Sequence, residues 1–329
     1  KKIGSKNIAK NNIKIIENEI APGKTGTIEF DLTAPKILGK KTVQFQLSTE
    51  GKNINQKALK FSFFVKPKEV KKEIQQFDDQ KGGNKIRILL EGFDATTVGA
   101  QIRSTRAFTI YAGNNALLKK DAGESVTVIY QNAKSSEGGM YEVRSGDFSH
   151  QTQDFIRLIP ESADNIFQIT NYERRPAWDK TLNDNEFHGT FEIRFLESKL
   201  RIINELSIED YLKGIAETSN TDPIEKIKAI SITARSYAYY YSNIGQKFPG
   251  KPYHLDDNPD HTQKYRGYGY EKRSPNAVKA VNATQGIVIT YNGNAILTPF
   301  FSQSDGRTRS AQELWGWKNT PYLQSVSDP

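Results

Sequence analysis

Over the first 67 residues, apolar and polar positions alternate in short runs: IKII from Ile13, TIEFDL from Thr27, TVQFQL from Thr42 and ALKFSFFV from Ala58. APGK, TAPKILGK and STEGKN separate them. A period of two broken by Pro and Gly predicts antiparallel β-strands, and residues 1–67 read as part of an immunoglobulin-like β-sandwich. Lys66 to Asn84 holds few large apolar residues and ends in Gly82-Gly83, which predicts a flexible linker over 68–85.

A second β-rich stretch, 86–160, offers strands at Ile86–Phe93, Ala107–Gly113, Ser125–Tyr130, Met140–Gly146 and Phe155–Pro160, with a hairpin signal at Gly113-Asn114-Asn115. It contains no catalytic constellation; its one histidine, His150, reads as a solvated loop residue. From 165 to 329 the pattern changes. FQITNY, GTFEIRF and LRIINEL predict three more strands, and Ser207 then opens a short helix, with Asp210 completing an acidic capping box and Leu206 and Tyr211 at staple positions.

A longer helix is predicted from about 223 to 243. Asp222 is placed to cap it, Pro223 takes its first position and Glu225 closes a second box, while Ile224, Ile227, Ile230, Ala234, Tyr237, Ala238 and Tyr241 recur at helical spacing, predicting a largely buried helix. A helix-like PNAVKAVNAT and a hairpin on Tyr291-Asn292-Gly293-Asn294 follow. The expected fold class is α+β: a mixed domain with one long buried helix, preceded by small β modules.

Composition narrows the function. The chain has 329 residues, of which 36% are hydrophobic, with 17 Phe, 15 Tyr and 3 Trp, enough core material to exclude global disorder. No apolar run approaches the ~18 residues of a spanning helix. Beginning at Lys1 and ending at Pro329, it reads as a segment of a longer protein whose address signal lies elsewhere. Zero cysteines exclude disulfides, thiolate metal sites and Cys nucleophiles. The formal net charge is +8, and residues 1–80, with 16 Lys against 9 Asp+Glu, carry +7 of it. Those lysines are either a patch for an anionic polymer or merely a solubilising surface. With no Arg among them, nucleic acid is not an expected partner.

Six blocks carry a resemblance: SIEDYLKGIAE with PIEKIKAISITARSYAYY, then HTQKYRGY, ATQGIVITYNGNAI, FFSQSDGRT, ELWG and PYLQSVSDP. In order and spacing they resemble the SpoIID/LytB family of sporulation and cell-wall proteins, over about 165–329 and more loosely back to 86. The resemblance implies a lytic transglycosylase that cuts peptidoglycan glycan strands, preferentially ones stripped of stem peptides. In the family's other branch it implies an enhancer of a cell-wall amidase, with the amidase as partner. It also implies an extracytoplasmic place at the wall or cell surface, where teichoic-acid-like polymers are the anionic partners for residues 1–80.

The position matching the family's catalytic glutamate is Glu217. A lytic transglycosylase needs one carboxyl that first protonates the glycosidic oxygen and then takes the proton of the sugar's 6-hydroxyl, whereas an ordinary glycosidase needs two. The end of the short helix, with its unpaired carbonyls, favours the neutral acid there. Glu209, Asp210 and Glu225 read as helix caps, and Glu313 as either a groove or a surface residue. The family's His-Cys-Gln-x-Tyr stands here as His261-Thr262-Gln263-Lys264-Tyr265. Without the cysteine no zinc or other cofactor is expected; the alternative ligand set is His254, Asp256, Asp257 and His261. Gln263, Tyr265, Tyr268, Ser302, Ser304, Gly306, Arg307, Thr308 and Trp315 are the expected substrate-binding residues, as donors or stacking rings for sugars. Tyr172, Trp178 and Trp317 are further rings, and a serine hydrolase is disfavoured because Ser302 and Ser304 lack a G-x-S-x-G elbow.

Overall fold

The computed structural model describes residues 85–131 and 139–328 and, within 2–65, seven strands and positions 21, 24, 25 and 27. Those strands are β1 Lys2–Ile3, β2 Ala9–Ile15, β3 Ile28–Leu32, β4 Gly39–Phe45, β5 Ser48–Thr49, β6 Lys52–Asn53 and β7 Leu59–Val65. As the alternation predicts, they pair antiparallel: β1-β4-β7 in one sheet, β2-β3 and β5-β6 in two others. The expected linker falls, up to residue 84, outside the described residues, and Lys85 already opens a strand.

Two larger sheets follow. β8 Lys85–Leu89, β10 Phe108–Ala112, β11 Asn115–Lys120, β15 Ile156–Pro160, β18 Thr190–Leu196, β19 Lys199–Ser207 and β20 Leu255–Asp256 form a seven-stranded sheet in the order β11-β10-β15-β18-β19-β8-β20. β9 Ala100–Ser104, β12 Ser125–Gln131, β13 Met140–Ser145, β14 Phe148–Thr152, β16 Phe167–Ile169 and β17 Glu186–Phe187 form a six-stranded sheet, β14-β13-β12-β9-β16-β17. Every pairing in them is antiparallel except β20 with β8. Both sheets combine strands from before and after residue 165, and in the seven-stranded one they interleave. The stretches 86–160 and 165–329 therefore share one core, and a boundary between them cuts through the sheets.

The two inner faces meet through aromatic rings: Phe167 of the six-stranded sheet lies against Phe108 and Phe191 of the other, with centroids 5.4 and 5.2 Å apart. Alternation explains the burial. In β9, Ala100, Ile102 and Ser104 point in while Gln101 and Arg103 point out. His150 is not in a loop but in β14, opposite Val143, because Gly146 at φ 56° turns β13 back on itself.

The helices are α1 Ile208–Lys213, α2 Ile224–Asn243, α3 Gly267–Arg273, α4 Pro275–Ala283 and α5 Ala311–Trp315. α2 starts and ends where the spacing predicts, but Asp222 does not cap it: its carboxylate accepts the Ser219 N–H and pairs with Lys226. Nor is α2 mostly buried. One stripe, Ile227, Ser231, Ala234, Arg235, Ser236 and Ala238, faces the core, and Ile224 is 39% exposed. Asn292 and Gly293, both at positive φ, close the hairpin of β21 Thr290–Tyr291 and β22 Asn294–Ala295 as its sequence requires. Among the described residues no helix is long and apolar enough to cross a membrane.

Candidate functional site

β19 runs straight into α1, where the Ser207 hydroxyl accepts the Asp210 N–H at 3.0 Å. Tyr211 and Leu212 face the core, and Gly214 ends the helix. The chain then extends beside residues 263–266. Ile215 bridges Tyr265, the Ala216 N–H donates to the Lys264 carbonyl, and the Arg266 N–H donates to the Gly214 carbonyl, both at 2.8 Å. This crossing depends on two glycines. A Cβ on Gly214 would stand 2.6 Å from the Tyr265 ring, and one on Gly267, at φ 62°, 2.5 Å from the Glu186 carbonyl.

Glu217 lies at this crossing, half-buried. Its Oε1 accepts the Lys264 N–H at 2.6 Å, and its second oxygen has no protein partner among the described residues. It stands beyond the last turn of α1, outside the short reach of a helix dipole, so the helix-end argument does not apply. Its position is fixed instead by the pairing with 263–266. The following loop is pinned: the Tyr270 hydroxyl donates to the Thr218 carbonyl at 2.6 Å, and the Asn220 amide oxygen accepts the Asn276 N–H at 2.8 Å. Glu209 of α1 points the other way, into a bidentate pair with Arg235 at 2.9 Å.

Burial alternates along 263–267. Gln263 and Tyr265, each 1% exposed, point inward, Lys264 and Arg266 outward. The Gln263 Oε1 accepts the Tyr211 hydroxyl at 3.1 Å, and the Tyr265 hydroxyl donates to Asn204 at 2.9 Å. Burial holds both phenols, Tyr211 and Tyr265, far above the ordinary tyrosine range. Gln263 and Tyr265, expected against sugar hydroxyls, are thus core residues that fasten the 263–267 segment to α1 and β19. Tyr268 remains half-buried, with the His188 ring edge-on at 5.0 Å.

The four residues of the alternative metal set do not converge. His254 Nδ1 accepts the Arg87 N–H, and burial followed by the Arg87 charge pulls its pKa down. Asp257, 2% exposed, accepts the Glu91 N–H at 2.9 Å and pairs with Arg174 at 2.8 Å; its pKa is nevertheless raised, because burial outweighs those partners. Asp256 and His261 do meet, joined by Glu91, which the sequence did not suggest; one ligand atom from each lies within 4.8 Å of the others. This is a three-donor set of two carboxylates and one imidazole. His261 Nδ1 stands 3.0 Å from Asp256, whose hydrogen bond and charge raise the imidazole pKa.

Ser302, Ser304, Gly306, Arg307 and Thr308 form an exposed structure tied to the chain's last residues. Ser304 donates to Asp328 at 2.6 Å, Arg307 to Ser325 at 2.8 Å, and the Thr308 N–H to the Val326 carbonyl at 2.8 Å. Glu313 closes a capping box with Ser310 at the start of α5. Trp315 is 49% exposed and lies against Trp317, with ring centroids 4.6 Å apart. Trp178 is 74% exposed on the loop between β16 and β17, while Tyr172 is buried edge-on against Phe93.

Fold and site define an α+β protein with one half-exposed carboxyl pinned where two segments cross. Residues 196–291 match the family described as Stage II sporulation protein, SpoIID. An uncharacterized protein of Brachyspira hyodysenteriae is 35% identical over 149 residues, 44% of this chain and 39% of that protein. Stage II sporulation protein D of Bacillus subtilis is 29% identical over 39% of this chain and 40% of its own length. The amidase enhancer of the same organism is 30% identical over 36% of this chain and 15% of its own. The chain thus spans about two fifths of the length of the first two relatives. The match over residues 196–291 and these relatives support the resemblance to the SpoIID/LytB family read from the sequence.

Proposed function

We propose that this protein acts on the bacterial cell wall as a peptidoglycan lytic transglycosylase. The observation that carries the reading is Glu217: one carboxyl oxygen is fixed by the Lys264 N–H at 2.6 Å while the other is open. The open oxygen, protonated, donates to the oxygen linking MurNAc to GlcNAc as the C1–O bond breaks. The 6-hydroxyl of the same MurNAc then attacks C1 and returns its proton to Glu217. The product is a 1,6-anhydro-MurNAc end, no water is consumed, and one carboxyl serves both steps.

The test is mass spectrometry of peptidoglycan digested by the protein and by Glu217→Gln. Anhydro-muropeptides are expected from the parent alone, because the amide keeps the shape but transfers no proton. Equal yields from both would remove Glu217 from the mechanism. The similarity to an amidase enhancer favours a second reading, a glycan-binding protein that stimulates a wall amidase. It holds if neither protein releases anhydro ends and both speed an added amidase.

A further inference from the structure

Glu217 belongs to neither helix nor strand, and its main chain makes no hydrogen bond with any described residue. Its place in the chain is therefore fixed through its neighbours. On one side the Ala216 N–H donates to the Lys264 carbonyl at 2.8 Å. On the other, the peptide joining Thr218 to Ser219 is held at both ends: its carbonyl accepts the Tyr270 hydroxyl at 2.6 Å, and its N–H donates to Asp222 at 2.9 Å. Asp222 lies in the same turn, so Tyr270 is the group that ties this peptide to the body of the domain. The Tyr270 ring, 6% exposed, sits in an apolar cluster with Ile227 of α2 and Ala277 and Ala280 of α4, and Ala216 packs against that cluster. Arg273, forked by Asp184, stands over the ring at 5.5 Å. The cluster around Tyr270 thus carries the residue before Glu217, and the Tyr270 hydroxyl carries the residue after it.

Resting on the reading of Glu217 as the glycan-cleaving acid, we propose that Tyr270 is a positioning residue for that acid. Its hydroxyl fixes the Thr218–Ser219 peptide, and through it the direction in which the Glu217 side chain leaves the backbone toward the Lys264 N–H. That N–H holds one carboxyl oxygen at 2.6 Å, but it grips the end of a long side chain and keeps its hold only while the Glu217 Cα stays within reach. A carboxyl that gives a proton in one step and takes one back in the next needs the same oxygen in the same place twice. Without the hydroxyl the Thr218 carbonyl loses its partner, and the turn that carries Glu217 is released on that side. The ring and its packing are untouched by Tyr270→Phe, so the variant isolates the tie from the core.

The test compares the full chain with Tyr270→Phe by amide hydrogen exchange and by the rate of anhydro-end formation. Exchange of the Lys264 N–H reports directly on its bond to Glu217, and Glu217→Ala gives the rate with that bond absent. Tyr270→Phe is expected to speed Lys264 exchange about tenfold, the scale of one neutral hydrogen bond, while the Arg266 N–H, bonded to the Gly214 carbonyl on the same segment, keeps its rate. In turnover, kcat falls about tenfold and KM stays within about twofold, because the reacting group is displaced and the rest of the glycan contact is not. Three results overturn the proposal: an unchanged Lys264 rate, Lys264 and Arg266 speeding up together as in general loosening, or a Tyr270→Phe chain that does not fold by circular dichroism, which would make the hydroxyl structural. An unchanged kcat alongside faster Lys264 exchange overturns it as well. If the unmutated chain forms no anhydro ends, the cleavage reading fails, and exchange at Lys264 and Arg266 alone decides whether Tyr270 positions Glu217.

Discussion

Arg235→Met is expected to be among the most destabilising single changes in the helical region. Arg235 is 2% exposed on the core stripe of α2. Its guanidinium donates twice to Glu209 at 2.9 Å and to Val281, Thr284 and Ile287 at 3.2–3.3 Å, joining α1, α2, α4 and the chain that follows α4. Its removal leaves Glu209 with the Gly286 N–H at 3.2 Å and little else. Breaking a buried pair on one side costs about 3–5 kcal/mol. Because the Glu209 side chain is 24% exposed, water relieves part of this, which points to about 3 kcal/mol and a Tm lower by roughly 6–12 °C. The assay is urea unfolding followed by helical far-UV circular dichroism, to which these helices contribute most. Arg235→Met with Glu209→Leu is expected to recover to within about 1 kcal/mol of the parent, since both desolvation penalties vanish together. A single variant costing under about 1 kcal/mol, or a double variant as unstable as the sum of the two singles, would refute the account of Arg235 as a clamp.

Three further outcomes are expected. EDTA leaves the melting temperature unchanged, because Asp256 and His261 already bond each other; a stoichiometric metal with a fall in Tm on chelation would show that Glu91, Asp256 and His261 hold a cation. In an NMR titration His254 protonates below, and His261 above, the ordinary 6.5. The His261 contribution to stability is therefore full below 6.5 and lost as pH rises through its folded pKa, whereas that of His254 is present above 6.5 and lost as pH falls through its own. Both histidines moving the same way would contradict the placements. Removing residues 1–84, which include the +7 region, lowers wall binding and its salt sensitivity but leaves the rate on short soluble glycans nearly unchanged; equal binding across a salt series would make those lysines solubilising only.

The sequence is legible where one physical rule acts within a few residues. Strands such as β12 and β15 alternate in burial, Ser207 caps α1 by its own hydroxyl, and Asn292-Gly293 closes its hairpin with the backbone those residues favour. It is less legible where the deciding partner is distant. β14 is polar and gains strand geometry only by pairing with β13, and α3 opens on Gly267, a positive-φ glycine. Arg235 falls on the core stripe of α2, but a charged residue there looks misplaced until Glu209, on another helix, supplies its counter-ion.

The candidate site combines both situations. Glu217 is recognisable because family blocks flank it, yet no feature near residue 217 announces that its carboxyl is fixed by a main-chain N–H at residue 264. The same crossing reverses the expected roles of its other strand. Gln263 and Tyr265, matched to the family and chemically suited to sugars, go inward because Gly214 and Gly267 let the two segments close to backbone contact. Burial alternates along this segment, and the residues between the buried ones face out. Those residues are Lys264 and Arg266, which residue type alone would assign to ordinary solvent-facing polarity. The side of the chain they occupy is set by the burial of their neighbours.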